Sequence, residues 1–164
     1  MKLYILGAAG SGKSTYAKKL AAELKVPYFD LDDAKWINDD GKHYCKSRDY
    51  DERARIISEI ITGNKSWVCE GVYYQDWMDK VFEKADEVII LQTPRWLCQW
   101  RCFIRAIKRY NKKTTSFRSV YDLLRWNHDY YSKYLPIALE KMQNMSVKYR
   151  FLNPKQIDNS WNTG

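Results

Sequence analysis

Apolar residues recur along this chain in two rhythms. Short runs at Lys2–Leu6, Trp67–Cys69 and Glu87–Gln92 are nearly continuous, the pattern of strands covered on both faces. Pro27–Leu31 and Val147–Leu152 add two weaker strands. Between them apolar positions fall three and four apart, which predicts helices over Lys13 to about Leu24, Tyr50–Thr62, Gln75–Glu83, Pro94 to about Tyr110, and Ser119–Met142. Ile56, Ile57, Ile60 and Ile61 form the inner face of the second helix, and Gly63-Asn64 ends it. Pro94 suits a first helical turn, whereas Pro136 removes a donor and interrupts the last helix. The stretches Asp32–Asp51, with Asn38-Asp39-Asp40-Gly41, and Lys112–Ser116 are polar and turn-rich.

Strands alternating with helices predict an α/β fold, a three-layer arrangement with a five-stranded parallel sheet. The segments after the second and fourth predicted strands exceed what simple crossovers need. Such insertions project over the carboxyl edge of the sheet, where ligands bind. They are expected to be a substrate arm at about 32–63 and an Arg-rich helical lid at about 95–130 of one domain, 1–164. The chain has 164 residues, 45% of them apolar, enough for one core. No run reaches the roughly 20 apolar residues of a membrane span. The first strand starts at once, which leaves no room for a signal peptide and predicts a cytoplasmic protein. Cys45, Cys69, Cys98 and Cys102 form no C-x-x-C pair, and His43 and His128 lie far apart. Reduced thiols, not zinc ligands, are expected.

The loop Gly7-Ala8-Ala9-Gly10-Ser11-Gly12-Lys13-Ser14 is a complete G-x-x-x-x-G-K-[ST] motif between a predicted strand and a predicted helix. That context confirms the motif. Backbone amides of Gly7 to Thr15 are expected to cradle a polyphosphate, aided by the helix dipole. Lys13 would bridge the β- and γ-phosphates, and the Ser14 hydroxyl would meet Mg²⁺. The three-layer P-loop NTPase fold follows, with ATP and Mg²⁺ as cofactors.

Three further groups carry candidate chemistry. Asp32, in Asp30-Leu31-Asp32-Asp33, stands where a strand-end carboxylate can accept a proton from an acceptor hydroxyl. A helix cap by Asp32 or Asp33 is the competing role. Glu70, ending the third strand before Gly71, has the place of an acid that orders the water shell of Mg²⁺. Arg101, Arg105 and Arg109 recur every four residues, a spacing at which like charges repel. An anionic partner resolves that repulsion, and arginine's planar fork suits phosphate. Leu97, Trp100, Ile104 and Ile107 are expected to pack inward from the same helix. Trp36, Tyr44, Tyr73, Tyr74 and Trp77 cluster near these loops. Trp36 and Tyr73 are candidate substrate contacts.

Net charge is +8, with eight of the 28 basic residues and no acid between Val88 and Tyr121. The rest of the chain balances, so the excess is one block. It serves either a triphosphate lid or nucleic acid.

On these residues the chain resembles P-loop small-molecule kinases related to adenylate and shikimate kinases. It is most similar to the adenylate-kinase-related group known as DNA topology modulation proteins of the FlaR type. The match rests on Gly7–Ser14, Leu31-Asp32 with Trp36, Glu70-Gly71 with Tyr73, and Leu91-Gln92-Thr93-Pro94-Arg95-Trp96-Leu97 followed by Arg101 and Arg105. The resemblance implies that Arg101 and Arg105 are the lid pair, that Glu70 is the metal-ordering acid, and that Asn153 and Pro154 lie beside the adenine. Val72-Tyr73-Tyr74-Gln75 departs from adenylate kinase, where Phe-Pro-Arg follows the acid and glycine. AMP is thereby not implied as acceptor. The favoured expectation is a kinase for a small-molecule acceptor, a nucleoside or nucleotide included. The alternatives are a nucleotide-switched nucleic-acid-binding regulator and a kinase of nucleic-acid ends. No membrane partner is expected.

Overall fold

The computed structural model describes residues 1–39, 42–111 and 117–153. Its centre is a five-stranded sheet of β1 (Lys2–Leu6), β2 (Tyr28–Asp30), β5 (Trp67–Gly71), β6 (Glu87–Leu91) and β7 (Tyr149–Leu152), in the order β2-β5-β1-β6-β7. Every neighbouring pair is parallel, as the alternating pattern requires. β1 is central, and its side chains alternate between two cores. Leu3 and Ile5 face one side, with Tyr16, Ala17 and Ala21 of α1 (Lys13–Leu24). Tyr4 and Leu6 face the other, with Ile57 and Ile61 of α3 (Tyr50–Gly63), Val81 and Phe82 of α4 (Asp79–Lys84), and Ala138 and Met142 of α7 (Leu135–Asn144). The three layers are therefore α1, the sheet, and the α3–α4–α7 group.

The arm differs from the expected turn-rich stretch. After β2 the chain makes one short helical turn, α2 (Asp32–Lys35), then an antiparallel pair, β3 (Trp36–Asp39) and β4 (Lys42–Ser47). Asp49 caps α3, its carboxylate accepting from the Glu52 N–H at 2.8 Å.

The region expected to be a lid folds as α5 (Arg95–Asn111) followed by α6 (Phe117–Asp129). The break at Lys112–Ser116 lies outside the described residues. The long last helix is interrupted as Pro136 implies. A π-helical turn, Tyr130–Tyr134, separates α6 from α7, and Pro136 occupies the first turn of α7. A proline ring clashes with the carbonyl four residues earlier, and the wider turn accommodates it.

The inward face of α5 is a correction to the sequence reading. Cys98, Cys102 and Ala106 are buried, while Trp100 and Ile107 are 57% and 42% exposed. Hydropathy placed the larger side chains inside. The helix instead lies so close to the phosphate-loop backbone that only small side chains fit between them.

Candidate active site

β1 delivers the loop Gly7–Gly12 to the carboxyl edge of the sheet. Gly10 and Gly12 have φ of +78° and +94°, a region that glycine enters freely. A Cβ on Gly10 would stand 2.6 Å from the Cys98 carbonyl oxygen, so α5 and the loop fit only with hydrogen there. Ser11 N–H donates to the Ala8 carbonyl at 3.1 Å. The Thr93 hydroxyl donates to the Ser11 carbonyl at 2.7 Å, and the Tyr131 hydroxyl donates to the Thr93 carbonyl. The loop is thereby fastened to the end of β6 and to the π-helical turn.

α1 opens at Lys13 with no side-chain cap on its first turn and no acid in that turn. Such an end leaves N–H donors and the positive helix dipole for an anion. Lys13 Nζ stands 3.7 Å from Glu70 Oε2. Glu70 is buried, and its Oε1 accepts from the Tyr28 hydroxyl at 3.1 Å. Oε2 has no hydrogen-bond partner among the described residues, so the lysine is an ion-pair neighbour rather than a bonded donor. A buried carboxylate oxygen without a donor fits the water shell of a divalent cation, and Ser14, which follows Lys13 in the first turn of α1, is half-buried. Ser11 Oγ is also buried and has no hydrogen-bond partner among the described residues, inside the loop expected to hold phosphate.

Asp30 pairs with Glu70 across β2 and β5. Burial, then the Glu70 charge, pushes its carboxyl up to about 6. Its Oδ1 accepts from the Asp32 N–H at 2.9 Å. Asp30, not Asp32 or Asp33, therefore meets an open amide at the start of α2, which removes the capping role weighed against Asp32. Asp32 instead accepts from the Tyr73 hydroxyl. Trp36 Nε1 donates to that same hydroxyl at 3.2 Å. The three residues singled out for the acceptor thus form one hydrogen-bonded row. A core residue fixes it, because the Tyr4 hydroxyl donates to the Tyr73 carbonyl at 2.8 Å and accepts from its N–H at 3.1 Å.

Arg101 Nη1 donates to the Gly10 carbonyl at 3.2 Å and lies 3.7 Å from the position of a Gly12 Cβ. The structure therefore brings Arg101 to the loop. Arg105 is exposed one turn further along α5, Thr15 is exposed on α1, and Asn153 is exposed just beyond β7. Pro154 and the Arg109 side chain lie outside the described residues. Tyr73 and Trp77 are only 3% and 4% exposed, so neither ring offers a free face for stacking.

Sequence reasoning missed Lys35 and Arg53. The Lys35 ammonium lies 4.9 Å and 4.8 Å from the ring centroids of Trp36 and Tyr73. Arg53 lies 5.9 Å from the Trp77 centroid. A single lysine in a polar stretch carries no signal until the fold sets it over rings. Among the described residues no group of three or more His, Cys, Asp and Glu that could hold a metal ion is present.

No protein-family model matches the chain. It is 28% identical over 120 residues to the uncharacterized protein YqaC of Bacillus subtilis, covering 73% of this chain and 65% of that protein. It is 34% identical over 67 residues to a shikimate kinase of Francisella philomiragia, covering 35% of this chain and 38% of that enzyme. The chain thus spans less than two thirds of the curated relatives it matches. The shikimate kinase of Acinetobacter baumannii solved with shikimate superposes with a TM-score of 0.62 at 17% identity, covering 97% of this chain and 87% of that one. A gluconokinase of Sinorhizobium meliloti superposes at 0.53 and 15% identity, covering 96% and 85%. The fold is the three-layer P-loop fold of shikimate kinase.

Proposed function

We propose that the protein is an ATP-dependent phosphotransferase that transfers the γ-phosphoryl group to a hydroxyl of a small molecule. The observation that carries this reading is the uncapped start of α1 behind a loop shaped by Gly10 and Gly12, with Lys13 opening that helix and Arg101 of α5 donating to the loop at the Gly10 carbonyl. Gly7, Ala8, Ala9, Gly10, Ser11, Gly12, Lys13, Ser14 and Thr15 hold the polyphosphate, and Asn153 and Pro154 flank the base. Arg101 and Arg105 close over the transferring group, where charge develops. Ser14 holds Mg²⁺ directly and Glu70 holds it through water. The bound ion neutralises polyphosphate charge.

Asp32 takes the proton of the acceptor hydroxyl as that oxygen forms its bond to the γ-phosphorus and the bond to ADP breaks. Tyr73 and Trp36 hold the carboxylate for that task. The chain acts as one domain in the cytoplasm. We place it in the FlaR-type group, on the P-loop and the run from Pro94 to Arg105.

Screening ADP release from ATP and Mg²⁺ against nucleosides, nucleotides, sugars, hydroxy acids and oligonucleotides identifies the acceptor. With that acceptor, Asp32→Asn is expected to lower transfer by about 100-fold or more while nucleotide affinity stays unchanged. Transfer at the wild-type rate would contradict the role of Asp32.

A further inference from the structure

Among the described residues, Lys35 and Arg53 of the arm form no salt bridge with a carboxylate. Lys35 is half-buried in α2, yet among the described residues it forms no ion pair and no hydrogen bond from its ammonium. It rests on the faces of Trp36 and Tyr73 at 4.9 Å and 4.8 Å. Arg53 of α3 donates through Nε to the Arg48 carbonyl at 2.8 Å and through Nη2 to Ser47 Oγ at 3.2 Å. It lies over Trp77, whose ring centroid is 5.0 Å from that of Tyr73. The two cations therefore sit on adjoining rings of one aromatic pair. Burial lowers the Lys35 pKa, the Arg53 charge lowers it further, and Asp32 opposes both. Desolvated neighbouring like charges are costly when nothing pairs with them. Rings supply part of the compensation, and an anion would supply the rest. Because Tyr73 and Trp77 are buried, their rings act as platforms for the cations rather than as a stack for a substrate ring.

We infer that the acceptor is a small hydroxylated anion, a carboxylate or a phosphate ester, whose negative group lies between Lys35 and Arg53 while its hydroxyl meets Asp32. This inference rests on the phosphotransferase reading and adds the chemical class of its acceptor. Phosphate and carboxylate share the recognising chemistry, and separate arms of the test distinguish them.

The test titrates the full chain, saturated with MgADP, by tryptophan fluorescence. The probes are shikimate and gluconate as carboxylates, glucose 6-phosphate and AMP as phosphates, and inositol, glucose and adenosine as neutral counterparts. ADP release from MgATP is followed with the same compounds. At least one anion is expected to bind and to accelerate ADP release, with its neutral counterparts at least about tenfold weaker. A charged hydrogen bond is worth about one such factor or more. Lys35→Met is expected to raise KM for that anion at least tenfold and leave MgADP affinity within twofold, and Lys35→Arg is expected to restore most of the loss. A purely structural lysine would lower the melting temperature in Lys35→Met without this selective loss. Equal response to neutral compounds, an unchanged KM in Lys35→Met, or MgADP binding with no anion bound at millimolar concentration would each overturn the inference alone. Absence of MgADP binding would remove the phosphotransferase reading beneath it.

Discussion

Asp30 shows at a single residue how the site trades stability for charge. Its pKa, raised to about 6 by burial and by Glu70, lies above the ordinary carboxylate value. Between about pH 4 and pH 6 the folded, metal-free protein therefore holds more protons than the unfolded chain, and stability falls across that window as pH rises. A shift of this size corresponds to nearly 3 kcal/mol. Asp30 is only half-buried, so solvent screening reduces it to about 1 kcal/mol. Asn at this position keeps a carbonyl to accept from Asp32 N–H. Asp30→Asn is accordingly expected to raise the melting temperature by about 2–4 °C at pH 7 and to change it little at pH 4. An equal gain at both values would assign the effect to packing. Asp32, Trp36 and Tyr73 were legible in the sequence because they sit at fixed offsets from strand ends. Their hydrogen-bonded row was not, since it depends on Tyr4 gripping the Tyr73 backbone from 69 residues away.

Among the elements, α5 carries the most consequence. Its contact with the loop is backbone on backbone at Gly10 and Cys98. Gly10→Ala places a methyl 2.6 Å from that carbonyl oxygen, at a φ of +78°. Both effects oppose the native geometry, and a loss of about 2–3 kcal/mol is expected on thermal unfolding. Arg101 is expected to lose its hold on the loop, so nucleotide affinity falls as well. A variant with native stability and affinity would show that α5 does not seat on the loop. The sequence placed α5 within a residue or two but turned its inward face wrongly, because hydropathy favours Trp100 over Cys98 and cannot register a close backbone approach. The β3–β4 pair was hidden for a different reason. Asp40-Gly41 is a recognised hairpin dipeptide, yet the flanking residues are too polar to alternate clearly. Pro136 marked the interruption of the last helix, while the π-helical form of it follows from tertiary packing around Tyr130.

At the scale of the molecule, strand–helix alternation and one complete motif were enough to define a parallel sheet with its phosphate loop at the carboxyl edge. Strand order was not in the periodicity, since each strand reads alike. It is fixed by pairings such as Tyr4 with Cys69 and Val88. The +8 charge likewise acquires a place only in the fold, where Arg101 turns to Gly10. All of these features support the proposal that a polyphosphate is held at the start of α1. Isothermal titration calorimetry of the purified chain with MgATP tests this directly, with Lys13→Ala as control. The expected result is a single saturable site at micromolar to sub-millimolar Kd, weakened at least tenfold in Lys13→Ala. No heat of binding at millimolar MgATP, or equal affinity in the two proteins, would contradict it.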